Sequence, residues 1–268
     1  MPMSPRLLRP RQAGGFDPRS IGTLVAWFDA SVSSSLLDAT SGGSTPADQG
    51  GVGRWEDLSG NGRHVTQTTA NNRPLYKVAG QNGRSVVSFD GTNDTLVSSS
   101  VSLPTGATVF VVCSAPSWRL TSGSIYRTPF SHRNATHNTT GLQPFSLAPA
   151  SLLDWVAGDA IAFGSGFESG QFPRAVGSSS AGSGFRLITT QLGSSLARIS
   201  VNNARISTRV EQAENIASAT ATMNVGSATS FGAYWSGDIA EILYYTAVFS
   251  QSQLDAVTNY LNAKWAVY

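Results

Sequence analysis

Apolar runs bounded by Gly, Ser, Asn or Asp recur along this chain. Ile239–Tyr245 is the strongest, because Ile242, Leu243 and Tyr244 place apolar side chains on both parities. A half-exposed strand alternates strictly, so this one is expected to be covered on both faces. Leu24–Asp29 and Thr108–Cys113 have the same character. Glu241 interrupts the last run, and its carboxylate needs a hydrogen-bonding or cationic partner, or a place at the sheet edge. Downstream the period changes. Leu254, Val257, Leu261 and Trp265 follow at helical spacing and mark one face of an α-helix. Ser250 and Gln253 form a capping box, Phe249 and Leu254 can staple the entry, and Lys264 sits in the last turn, where a cation suits the helix dipole. This helix is predicted to lie against a sheet.

Weaker strand signals fall at Val65, Leu75–Tyr76, Ser85–Asp90, Thr95–Val97, Phe185–Leu192, Leu196–Val201, Arg205–Val210 and Met223–Gly226. About ten to twelve short strands with turn signals every 8–12 residues or so predict an all-β sandwich. Between Ala115 and Ser183 the rhythm loosens into Pro, Ser, Gly and Asn with isolated aromatics, which predicts short strands and long loops at one end of the fold. No domain boundary is evident between Ile21 and Tyr268.

Composition narrows the function. Charged residues are only 13% of the chain and glycines number 27, which suits short strands and many turns. The one cysteine, Cys113, cannot form an intramolecular disulfide and reads as a small buried hydrophobe. The net charge of +2 is uneven: residues 1–19 hold Arg6, Arg9, Arg11 and Arg19 against Asp17 alone. The remainder has no concentrated basic face of the kind nucleic acid requires. No apolar stretch is long enough for a membrane helix, and the N-terminus lacks the apolar core of a signal peptide, so synthesis in a host cytoplasm without export is expected. Residues 1–20 form a Pro/Arg arm. It reads either as a flexible tail or as an anchor, through Arg6, Arg9 and Arg11, that orders against a neighbouring subunit.

Several motifs then fall in a recognisable order: Trp27-x-Asp29, W-x-D-x-S-G-N-G at 55–62, N-x-R-P at 71–74, F-D-G-x-x-D at 89–94, and G-D-I-A-E-I at 237–242 before the capped helix. Together they resemble the concanavalin A-like lectin/glucanase superfamily, in its laminin G-like form found in bacterial and bacteriophage proteins. The resemblance implies a two-sheet antiparallel jelly roll over residues 21–268, with first and last strands adjacent, so that Trp27 approaches Ile239–Tyr244. It also implies a non-enzymatic virion structural protein, a capsid decoration or fibre subunit on the virion surface. Such a protein would be held to other virion proteins by its arm and would be homo-oligomeric. A carbohydrate-binding adhesin recognising a cell-surface glycan is the alternative.

Candidate chemistry is sparse. The glucanase pattern E-x-D-x-x-E is absent, and Glu211 and Glu214 are spaced for opposite faces of a strand, so no catalytic residues are assigned and a polysaccharide hydrolase is the least supported function. His132 and His137 fall in a polar stretch without a carboxylate at ligand spacing. Asp90, Asn93 and Asp94 could hold Ca²⁺ at a sheet rim, or simply make turns. Trp118, Tyr126, Trp155, Tyr234 and Trp235 could stack on a sugar, or pack in the core.

Overall fold

The computed structural model describes residues 15–116, 118, 127–133, 141–147, 160–165, 177–178, 184–193, 196–206, 220–228 and 232–268. The expected arm residues Arg6, Arg9 and Arg11, the aromatics Tyr126 and Trp155, and Glu211, Glu214 and His137 lie outside the described residues.

In chain order the strands are β1 (Leu24–Asp29), β2 (Leu36–Leu37), β3 (Arg54–Trp55), β4 (Val65–Thr66), β5 (Leu75–Gln81), β6 (Arg84–Asp90) and β7 (Leu96–Ser102). Then come β8 (Ala107–Ala115), β9 (Phe130–Arg133), β10 (Gly141–Leu147), β11 (Ala160–Ser165), β12 (Gly177–Ser178) and β13 (Gly184–Gly193). The chain closes with β14 (Leu196–Val201), β15 (Ala204–Ile206), β16 (Thr220–Val225), β17 (Ser227–Ala228), β18 (Ala233–Tyr234), β19 (Ser236–Tyr245) and helix α1 (Gln251–Trp265). One sheet runs β15-β14-β13-β8-β19-β6-β5, with β1 pairing the second half of β19. The other runs β12-β11-β10-β9-β16-β7-β4-β3-β2, and every pairing is antiparallel. This is the all-β sandwich expected from the strand rhythm, with one α-helix among the described residues, at the C-terminal end.

Of the strands apolar on both faces, β8 and β19 are central, while β1 pairs with β19 alone. Between the sheets lie Phe28, Trp55, Val87, Val111, Phe130, Met223, Ile239, Ile242 and Tyr244, all fully or nearly fully buried. On the outer side of the first sheet, Val86, Phe110, Val112, Leu187, Leu243 and Tyr245 pack under Val257, Leu261 and Trp265 of α1. The helix begins at Ser250 with both halves of the capping box formed, as its sequence predicts.

A register shift in β19 decides where Glu241 goes. Cys113 of β8 pairs with Ile239, and the adjacent Val112 pairs with Glu241, so β19 carries one extra residue at this point. A bulge of this kind reverses side-chain parity. Ile239 and Ile242 therefore both face the inner core, while Glu241 turns outward beneath α1. There it accepts four donors: Trp27 Nε1 (2.8 Å) and Tyr260 Oη (2.9 Å) on Oε1, and Lys264 Nζ (2.8 Å) and Trp265 Nε1 (2.6 Å) on Oε2. Lys264 also binds Asp29 Oδ2, the register partner of Glu241 on β1. One lysine thus ties the helix to two buried carboxylates on adjacent strands. Burial and the Asp29 charge push the Glu241 carboxyl up, against the pull of Lys264 and Trp265. The partner demanded by Glu241 is found, and Trp27 lies beside Leu243, as the family resemblance implies.

The W-x-D-x-S-G-N-G motif clamps β1 where no strand continues its ladder. Asp57 Oδ1 accepts Trp27 N, Ser59 Oγ and Arg63 Nη1 donate to Val25 O, and Asn61 Nδ2 donates to the carbonyls of Leu24 and Val25. The sequence suggests an Asn-Gly turn with both residues at positive φ. In the structure Gly60 and Gly62 take positive φ (91° and 68°), and Asn61 instead uses its amide on β1.

Candidate functional site

Helix α1 covers only part of the outer face of the first sheet. Moving away from it, the outward residues change from apolar to polar at one level on three strands. Val86 gives way to Ser88 on β6, Ala240 to Asp238 on β19, and Val112 to Ser114 on β8. Lys77 on β5 and the half-buried Phe185 on β13 flank them. The result is an open cleft of about 430 Å³ whose walls also include Asp90, Pro116 and Ser236.

Its floor is made by a close approach of two strands. Gly237 has φ 134°, and a Cβ there would stand 2.1 Å from Ser114 O, so only glycine fits. Ser114 Oγ accepts the Asp238 N–H at 3.2 Å. Asp238 Oδ2 accepts from Lys77 Nζ at 3.0 Å, the lysine 41% and the aspartate 12% exposed. Asp90 and Asp238 are diagonal across the β6–β19 ladder, since Asp90 pairs with Ser236 and Ser88 with Asp238. Both are held as acceptors: Asp238 by Lys77, and Asp90 Oδ1 by the N–H groups of Thr92 (2.7 Å), Asn93 (3.2 Å) and Asp94 (3.4 Å). The cleft thus offers fixed carboxylates, an ammonium, hydroxyls and one aromatic edge.

Of the residues singled out from sequence, Asp90 is the one that lines this cleft. Trp118 and Trp235 are corrected to core residues: both are fully buried, edge to face, with ring centroids 6.0 Å apart. Neither offers a face to a sugar: Trp118 follows β8, Trp235 lies between β18 and β19, and both rings are enclosed. Trp118 Nε1 donates to Gly184 O, and the Arg186 guanidinium lies 4.7 Å from its ring centre. Tyr234 is half-buried on β18. His132 is likewise not in a loop: it is fully buried on β9, with Nδ1 on Tyr244 Oη (3.0 Å) and Nε2 on the carbonyls of Val101 and Ala221. Burial lowers its pKa to about 4, so it is a neutral core imidazole.

The proposed Ca²⁺ loop has mixed chemistry. Asn93 Oδ1 is buried without a partner, which would suit a cation. However, Asp90 Oδ1 is occupied by amides and Asp94 Oδ2 by Asp90 N at 2.9 Å. Burial raises the Asp94 carboxyl to about 6. A Cβ on Gly91 would lie 2.5 Å from Arg127 Nη1, so a guanidinium already stands against the loop. No group of three or more His, Cys, Asp or Glu side chains suited to a metal occurs among the described residues. The residues present fit an amide-bonded turn better than a Ca²⁺ cage of six to eight oxygens.

Lys77, Ser88 and Phe185 had no local motif to reveal them, and the G-D-I-A-E-I run that contains Asp238 marks a strand, not a site. They come from four strands, and only the ladder places them together.

No family model matches the sequence, and no curated protein matches it. Solved structures do share the fold. A GH54 α-L-arabinofuranosidase superposes with TM-score 0.61 at 16% identity, over 92% of this chain and 64% of that one. Domain 4 of a GH43 extracellular arabinanase from Geobacillus stearothermophilus, solved with arabinotriose, gives TM-score 0.53 at 15% identity, over 89% of this chain and 98% of that domain. The binding domain of Paraclostridial Mosquitocidal Protein 1 gives TM-score 0.56 at 12% identity, over 91% and 53%. The chain therefore spans somewhat under two thirds of the arabinofuranosidase and about half of the toxin domain. At these identities the likeness shows the β-sandwich fold, which these carbohydrate-active and binding proteins share, and does not assign an activity.

Proposed function

We propose that this protein is a non-enzymatic carbohydrate-binding module and that the cleft beyond α1 receives the sugar. The carrying observation is the juxtaposition of Lys77, Asp90, Asp238, Ser88 and Phe185 around about 430 Å³ of open space. Sugar hydroxyls both donate and accept, so an ammonium, carboxylates and hydroxyls fixed on rigid strands suit them. Phe185 adds an apolar edge for the sugar ring. The Lys77–Asp238 contact orients both groups before a ligand arrives.

Hydrolysis is the competing reading, because diagonal ladder neighbours stand roughly 7–8 Å apart. That separation overlaps the spacing of inverting glycosidases. Such chemistry needs one carboxyl able to donate a proton. Asp90 is spent on backbone amides and Asp238 on Lys77, which leaves neither in that role.

The setting we infer is display on a bacteriophage virion. It rests on the order of the sequence motifs and on the Pro/Arg arm over residues 1–20.

A glycan array followed by calorimetry tests the binding reading, with arabino-oligosaccharides among the first ligands because a domain of this fold was solved with arabinotriose. Lys77→Ala and Asp238→Ala should each weaken the strongest hit about tenfold or more, the loss of one charge-assisted hydrogen bond. Variants that bind like the wild type, an array without a binder, or turnover of the bound oligosaccharide would overturn it. Removing residues 1–15 should abolish incorporation into particles while leaving the body folded; normal incorporation would remove the virion setting.

A further inference from the structure

A second polar pocket lies on the other side of α1, away from the cleft. The outer face of β13 and β14 is polar here: Thr189 pairs with Ser200, and Gln191 with Arg198. With Asn203 and the helix residue Thr258 they enclose about 110 Å³. At the other polar joint of sheet and helix the charges are paired, Lys264 with Asp29 and Glu241.

Two features of the chamber are unbalanced. Arg198 Nε is buried and has no hydrogen-bond partner, and Arg198 makes no ion pair among the described residues. Among the described residues no carboxylate lines the chamber. The nearest acid on the helix, Asp255, accepts from Gln251 Nε2 at 2.9 Å instead. A buried guanidinium N–H without an acceptor is costly, and its planar fork matches a two-oxygen acceptor. The surrounding hydroxyl and amide groups can donate as well. The volume admits a group the size of a sulfate or carboxylate.

We propose that this chamber is an oxyanion site, with Arg198 as its principal ligand and Thr189, Ser200 and Thr258 as secondary donors. It takes a sulfate or carboxylate, either as a free ion or as the acidic substituent of a saccharide. The site is independent of the cleft, because it lies across α1 from Lys77 and Asp238.

The test uses the full chain and calorimetry at constant ionic strength, with sodium sulfate, glucuronate and a sulfated monosaccharide as probes and chloride and glucose as controls. Arg198→Leu removes the charge and keeps the bulk of the stem. It is read beside Lys77→Ala, which leaves the chamber intact. Saturable sulfate binding in the wild type and in Lys77→Ala, weakened about tenfold or more in Arg198→Leu, is the expected result. Tighter binding of an acidic saccharide than of sulfate identifies a glycan substituent, and the reverse identifies a free ion. Because a mutated chamber could distort the fold, the thermal unfolding of Arg198→Leu is measured too; a native-like transition with binding lost supports the site. No saturable binding above the chloride control, or equal binding by Arg198→Leu, overturns it. Loss in Lys77→Ala would transfer the anion to the cleft and also overturn it.

Discussion

Replacing Lys264 with methionine probes the joint that seals this fold. The variant keeps the unbranched stem over Tyr260 and Trp265, whose ring centres lie 5.5 and 5.2 Å from Nζ. It removes the ammonium whose protons reach Asp29, Glu241 and Tyr260. Glu241 is 0% and Asp29 2% exposed, and they are register partners on neighbouring strands. Without Lys264 two adjacent carboxylates stay buried with no cation. Breaking a buried pair in this way costs about 3–5 kcal/mol. In a domain of this size that is a fall in Tm of roughly 6–20 °C. Urea unfolding followed by tryptophan fluorescence gives the value directly. The pH dependence carries a second signature. In the variant one carboxyl has its folded pKa raised above its unfolded value, so its protonated form favours the folded state. The deficit should therefore shrink as pH falls from 7 to 4, through proton uptake by the folded protein. A loss under about 1 kcal/mol, the size of an exposed pair, would refute the reading, as would a deficit that does not change with pH.

The pH profile of the wild type should hide two opposing slopes. The Asp94 carboxyl is raised to about 6, so its contribution to stability is present at low pH and is lost as pH rises from about 4 to 6. The His132 imidazole is lowered to about 4, so its contribution is present at neutral pH and is lost as pH falls below about 6.5. Each is worth at most about 3 kcal/mol. Asp94→Asn should uncover a rising profile between pH 4 and 6; a variant profile parallel to the wild type would count against both assignments. Millimolar Ca²⁺ should leave Tm unchanged, and a rise that Asp94→Asn abolishes would restore the ion to this loop. Gly237→Ala should destabilise by about 2 kcal/mol or more, from strain at φ 134° and the 2.1 Å clash with Ser114 O. Stability near that of the wild type would mean that the β8–β19 approach can relax.

Much of the fold was legible because its signals are local. The capping box at Ser250 and the apolar stripe of α1 depend on residues within one or two turns, and both formed as read. β8 and β19, apolar on both faces, proved central, whereas β1 has the same character and pairs with β19 alone. The aromatics were misplaced for the opposite reason. Trp118 and Trp235 follow turn-rich sequence, and nothing local tells that they face each other under the sheet. His132 looked polar until Tyr244 and two carbonyls, distant in sequence, satisfied both ring nitrogens.

Sequence alone thus determined the central strands β8 and β19, the C-terminal helix and the need for a partner at Glu241. Tertiary structure decided which partners those were. The bulge between Ile239 and Glu241 moved one carboxylate from the core face to the helix. The antiparallel ladders gathered Lys77, Asp90, Ser114, Phe185 and Asp238 from five strands into one cleft. Backbone pairing has a period of two and no memory of sequence distance, so such a surface exists only once the register is set.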